Sequence, residues 1–209
     1  LESLAELDEK GVVAFKAFIG PVSPDYSSVN MGLVRQALQI LAPLDAMAGF
    51  HCEDYSIIKA EEARVRKEGR DTRQGFLDSR PLVAEIMATE NIITLSRDTG
   101  AHVHICHVSH PEVAEIIRRA RLQGVNVTGE TCAHYLPFTR EDGLREGTRF
   151  KCAPPLQSAE ARDALWEYVA DGTLACVGSD HSTCRADEKD EKAHGMLGAW
   201  GGISAVQST

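Results

Sequence analysis

The stretch "HVHICHVSH", residues 102–110, places four histidines in nine positions. Imidazole is costly to bury without a partner. Two imidazoles with a carboxylate are the usual ligands of a hydrolytic zinc ion, which makes bound water a nucleophile near neutral pH. Side chains on a strand alternate between faces, so His102, His104, Cys106 and Val108 would share one face and Val103, Ile105, His107 and Ser109 the other. That alternation predicts His107 at the end of an otherwise apolar stripe, pointing into the mouth of a site. His102 and His104 have ligand-like spacing but fall at the start of the strand, at the end away from the site; they read as structural or solvent-facing. His110 falls at a helix entry, as a cap neighbour. Two other runs repeat the His107 pattern: His51 follows "AMAGF" and Asp180 follows "LACVGS". Glu130 and His134 come late in a further run. Lys16 sits amid Val12, Val13, Phe15, Phe18 and Ile19. Burial there would favour a neutral amine over an ammonium. A neutral amine can form a Schiff base, or take up carbon dioxide to give a carbamate whose two oxygens can bridge two metals. The plainer alternatives are a lysine that snorkels to the strand end and a hydrogen-bonded core histidine at 107.

Positioning these groups requires a particular order of elements. Runs 11–20, 46–54, 101–109, 125–136 and 173–184 read as strands. Runs 29–45, 55–69, 80–100, 110–124 and 158–172 read as helices. Pro81 and Pro111 lie near helix starts, Gly100 and Gly124 at helix ends, and Ser158 at an N-cap. Alternating strand and helix predicts a parallel sheet, and nearly continuous apolar strands predict that both its faces are covered. The reactive residues come late in their strands, and in a (β/α) barrel the C-terminal strand ends hold the active site. An open doubly wound sheet places ligands similarly, but the glycine-rich phosphate loop expected after its first strand is absent.

Composition narrows the partners. The 209 residues carry a formal net charge of −9, and no basic run goes beyond "IIRRAR" at 116–121, which reads as the solvated side of a helix. A nucleic-acid partner is therefore not expected. No apolar run approaches the ~20 residues that span a bilayer, and the acidic "LESLAELDEK" is no signal peptide. Six cysteines without a C-x-x-C pair read as reduced thiols of a cytoplasmic protein.

Taken in order, "GVVAFKAF", "HCEDYSII", "HICHVSHPE", "GETCAHYL", "KCAPPL" and "VGSDHSTC" resemble the cyclic-amide branch of the amidohydrolase superfamily, which includes allantoinase, dihydropyrimidinase (hydantoinase) and dihydroorotase. Each motif is weak alone; six in order cover nearly the whole chain. The resemblance implies an α/β fold, the (β/α)8 TIM-type barrel, present here as a partial barrel of about strands 4 to 8. Residues 1–209 would be its central and C-terminal part, without the first strands, their His-x-His pair and the flanking β-sandwich.

The same resemblance implies two divalent metal ions, zinc, bridged by carboxylated Lys16 in the complete enzyme. His51 and His107 would ligate the more exposed metal. Asp180 would ligate the other and act as general base and acid. The backbone around Cys152, Ala153 and Pro154 would hold the substrate amide. Within the branch, "SDHSTC", "HCED", "EGRDTRQGFLDSRP" and "AWGGISAVQST" (199–209) resemble the allantoinases, and Pro21 stands where hydantoinases carry a tyrosine for the substrate ring. Thr183 replaces a common proline and Ala153 a frequent serine, and "LQSAEAR" lacks an arginine that often follows the leucine. The implied function is hydrolysis of a small cyclic ureide, allantoin to allantoate, in purine and ureide catabolism. The implied enzyme is a cytoplasmic homo-oligomer, with residues 1–209 inactive alone. The alternatives are dihydropyrimidinase or dihydroorotase activity, a catalytically dead scaffold relative, and a Schiff-base lyase using Lys16.

Overall fold

Five short strands lie side by side in the order in which the chain makes them. They are β1 (Ala14–Phe18), β2 (Met47–His51), β3 (Val103–Ile105), β4 (Val127–Cys132) and β5 (Cys176–Gly178), and every neighbouring pair is parallel. The computed structural model describes residues 1–21 and 27–206. Parallel neighbours need a crossover, and helices supply it. After α1 (Leu4–Glu9) and β1, α2 (Met31–Leu41) leads to β2. Then α3 (Tyr55–Lys67), α4 (Arg73–Asp78) and α5 (Leu82–Thr99) lead to β3. α6 (Pro111–Leu122) leads to β4, and α7 (Arg140–Glu146) and α8 (Ala159–Ala170) lead to β5; α9 (Glu191–Gly198) follows.

Local chemistry sets these boundaries. Asn30, Asp54 and Ser158 each accept a hydrogen bond from a backbone N–H in the first turn of α2, α3 and α8. His110 does the same for α6, whose first residue is Pro111. Gly100 closes α5 in the left-handed region, at φ 75. The five expected helices and five expected strands are all present, with the strands shorter than expected. α4, α7 and α9 were not expected, being only six to eight residues long.

The core lies on one face of the sheet. Ala48, Phe50, Val103, Ile105 and Val127 pack with Leu38, Ile92, Ile117 and Leu165 of the crossover helices. The other face differs from expectation. Lys16, Gly49, His104 and Thr128 form one transverse row across it, and Lys16 and Cys176 are exposed. β3 and β4 set His104, Thr128 and Glu130 at alternate positions, so one face is buried under helices and the other carries polar groups, although β1 is apolar apart from Lys16. Lys16 is thus exposed on the inner face of the described sheet, not enclosed by apolar neighbours. Among the described residues no helix is long and apolar enough to cross a membrane.

Candidate metal and hydrolytic site

Strict alternation would send His107 to the helix layer with Val103 and Ile105, which are fully buried there. It does not, because β3 ends at Ile105 and His107 takes the left-handed backbone region, φ 43. That turn re-aims the imidazole to the C-terminal mouth of the sheet. Asp180 does the same just after β5, at φ 41. A left-handed L-residue costs roughly 1–2 kcal/mol, and such strain gathers at functional sites. The expectation placed His107 at the mouth correctly but on the wrong stripe: its own face is the one that Val103 and Ile105 give to the core.

His51 is the last residue of β2, and its ring meets that of His107. His51 Nδ1 lies 3.1 Å from His107 Nε2, and the ring centroids are 4.7 Å apart. The other nitrogen of His51, Nε2, is 2.9 Å from Glu53 Oε2. Glu53 in turn accepts from Arg80 Nη1 at 2.7 Å, and Arg80 reaches Glu62 at 3.3 Å. Burial opposes ionisation of Glu53, but the Arg80 charge and the hydrogen bond from His51 outweigh it and hold the carboxyl below its usual range. An ionised Glu53 accepts, so His51 Nε2 carries the proton and Nδ1 is left with its lone pair toward His107. Burial, then the neighbouring His51 and Lys16, hold His107 well below the ordinary imidazole range, so it is neutral.

This arrangement fits a metal. Two nitrogens about 2.05 Å from a tetrahedral ion stand about 3.3 Å apart; here they stand 3.1 Å apart. The tautomer of His51 is fixed by a carboxylate, the usual outer-shell device of metal-binding histidines. Glu53 and Arg80 were given no role by the sequence reading. The His51-x-Glu53 spacing on a strand end was the available signal, since it puts both side chains on one face.

Lys16, His51, His107 and Asp180 all line one cavity of about 1150 Å³. Burial raises the Asp180 pKa, against the pull of Lys16 and His51; its outer side is exposed at the rim. Lys16 Nζ sits 5.5 Å over the Phe18 ring. Cys152 and Ala153 line the same cavity, whereas Pro154 does not. Pro154 lies behind the wall, with its carbonyl accepting from Tyr135 Oη at 2.6 Å and its peptide with Ala153 cis. Burial pushes the Cys152 thiol up to about 12, so it is no nucleophile at neutral pH. Lys151 ties this loop to the "AWGGI" segment: its Nζ donates to the carbonyls of Leu197 and Ala199, and its own carbonyl accepts from Gly202 N. Trp200, Gly201 and Gly202 complete the wall; residues 207–209 of the "AWGGISAVQST" run lie outside the described residues.

Glu130 and His134 do not line the cavity. Glu130 is half-buried on the inner face, beside His104. His134 is buried with neither ring nitrogen hydrogen-bonded, and burial lowers its pKa to about 4. His102 and His104 both meet Thr128 Oγ1, at 3.2 and 2.8 Å, away from the mouth as expected.

No protein-family model matches the chain. Curated allantoinases do. Those of Salmonella paratyphi B and Salmonella choleraesuis are each 35% identical to it over 213 aligned positions, covering 100% of this chain and 46% of theirs. The chain is allantoinase-like. Among solved structures, the L-hydantoinase (dihydropyrimidinase) of Arthrobacter aurescens superposes with a TM-score of 0.95 at 26% identity, over 100% of this chain and 46% of that one. The dihydropyrimidinase of Brevibacillus agri gives 0.88 at 25% identity, over 96% and 44%. This allantoinase-like chain thus spans about half the length of the relatives it matches, and its parallel sheet superposes on part of the hydantoinase fold, consistent with a partial (β/α) barrel.

Proposed function

We propose that the complete protein is a metal-dependent cyclic amidohydrolase that opens allantoin to allantoate in purine and ureide catabolism. The convergence of His51 Nδ1 and His107 Nε2 at 3.1 Å carries this reading, because it brings two imidazole nitrogens to the spacing of metal ligands at the mouth of a parallel sheet. His51 and His107 would hold one ion, Asp180 would hold the second, and Lys16, as its carbamate, would serve both. Two divalent ions, zinc in this reading, supply a water that is nucleophilic near neutral pH and an electrophile for the amide carbonyl.

The chain's own groups do the rest. The Asp180 carboxylate takes a proton from the attacking water and returns it to the ring nitrogen as the C–N bond breaks, so one water is consumed and a carboxylate and an N–H appear. Backbone at Cys152 and Ala153 aligns the amide, and the tie between Tyr135 and Pro154 keeps that loop rigid. Pro21 lines the cavity and offers no hydroxyl to the ring, which favours an allantoin-type substrate over hydantoin. Six free cysteines support a reducing, cytoplasmic setting, and the net charge of −9 agrees with a small-molecule partner over nucleic acid.

The test is a ring-opening assay of the zinc-loaded complete protein on allantoin, hydantoin, dihydrouracil and dihydroorotate side by side. Preferred turnover of allantoin is the expected result. Faster turnover of hydantoin or dihydrouracil would move the substrate to the dihydropyrimidinase side. No turnover of any would favour a scaffold relative.

A further inference from the structure

Away from the cavity, the inner face of the sheet carries a second set of donors: His104 on β3, Glu130 on β4 and Cys176 on β5. One ligand atom from each lies within 4.8 Å of the others. We propose that His104, Glu130 and Cys176 form a separate binding site for a borderline-soft divalent cation of the zinc class, with solvent in the fourth position.

Three observations carry this. The first is the spacing. His104 Nε2 and Glu130 Oε2 are 3.7 Å apart, beyond the 2.7–3.2 Å of a normal N–H···O hydrogen bond. Cys176 Sγ and Glu130 Oε2 are 3.6 Å apart. A tetrahedral zinc at ordinary bond lengths sets its nitrogen and oxygen ligands about 3.4 Å apart, and its sulfur and oxygen ligands about 3.6 Å apart. Two of the three separations are therefore close to the edge lengths of a coordination tetrahedron, and the third lies within 4.8 Å.

The second is the orientation of His104. Its Nδ1 meets Thr128 Oγ1 at 2.8 Å, and His102 Nε2 meets the same oxygen at 3.2 Å. Thr128 has one proton to give. The hydroxyl therefore holds both rings from one point, and its contact with His104 Nδ1 leaves Nε2 as the ring nitrogen that faces Glu130. A ring nitrogen held from behind in this way is the outer shell of a metal-binding histidine.

The third is the donor set itself. Binding replaces the thiol proton, which passes to solvent. The imidazole, thiolate and carboxylate set suits zinc or cobalt and not magnesium or calcium. The site is separate from the mouth: His104 shares a row with Lys16 but stands two strands away, roughly 10 Å at normal strand spacing.

Cobalt(II) tests this directly, because only a thiolate ligand gives a sulfur-to-cobalt charge-transfer band in the near ultraviolet. Titrating cobalt into the full chain should produce that band, and zinc should bleach it. The Cys176→Ser chain should lack it. The Glu130→Gln chain should need at least about tenfold more cobalt, since even an outer-shell partner is worth that much. Cys106→Ser, Cys152→Ser and His107→Ala chains should keep it. Absence of the band, or its survival in Cys176→Ser, overturns the proposal. Alkylation of the unmodified chain needs no variant: zinc should protect Cys176 from iodoacetamide while Cys184 stays reactive, and equal labelling of Cys176 with and without zinc refutes the site.

Discussion

Glu85 should make the stability of this chain fall as pH rises from mildly acidic to mildly basic. It lies on α5, 4% exposed, with Ser109 N donating to Oε1 at 2.9 Å and Ser109 Oγ 2.6 Å from Oε2. Gln157 Nε2 donates to that same Oγ at 3.1 Å. Burial pushes the Glu85 carboxyl up to about 8 from an ordinary 4.5; the two Ser109 hydrogen bonds pull it down without winning, and Glu53 adds to the rise. A carboxyl raised on folding contributes fully below its unfolded pKa, and the contribution is lost as pH climbs through the folded value. Each pKa unit is worth about 1.4 kcal/mol, so between about pH 5 and pH 8 the loss is ~3–4 kcal/mol, a large part of a typical 5–15 kcal/mol stability. Glu85→Gln keeps an acceptor for Ser109 N and presents an N–H to Ser109 Oγ, with nothing to titrate. Urea unfolding of both chains across that range, followed by circular dichroism, should give a stability difference that grows by ~3–4 kcal/mol toward the basic end. Other titrating groups are shared and cancel. Parallel profiles would show that Glu85 ionises in the folded chain at no cost and that the reasoning is wrong.

Replacing Glu53 by Gln frees the tautomer of His51 and leaves Arg80 with Glu62 as its charged partner. Zinc affinity at the mouth, read by calorimetry, should fall roughly 10–100-fold, and urea stability should fall by about 1–3 kcal/mol. In the complete protein, Lys16→Ala should lose one of two bound metals by elemental analysis, with acetate or propionate partly restoring it; retention of both metals and full activity would remove the carbamate role. Ile92→Ala, at a fully buried core position, should cost about 2–5 kcal/mol while leaving zinc affinity at His51 and His107 within about twofold.

The elements were legible because their signals are local. Pro111 at a helix start, Ser158 as a cap and Gly100 at a helix end each act within one turn. The late position of His51, His107 and Asp180 was legible for the same reason, and all three reach one cavity. What was not legible depends on geometry across strands. The side of β3 that faces the helices is set by pairing with β2 and β4, and the left-handed turn at His107 overrides alternation in a way that no count of residues shows. The buried relay from Arg80 through Glu53 to His51 joins residues brought together by tertiary folding. Lys16 looked buried because its sequence neighbours are apolar, yet those neighbours belong largely to the opposite pleat.

A sheet laid down in chain order also gives its functional groups an order in time. During synthesis, β1 can pair with β2 as soon as both have emerged, and β3 can then add to an edge already formed, without waiting for a distant segment. The two imidazoles can therefore meet while Asp180 has yet to be made. If the pair holds a metal as proposed, a nascent chain of this kind would pass through a stage with two nitrogens in place before the carboxylate of Asp180 joins them.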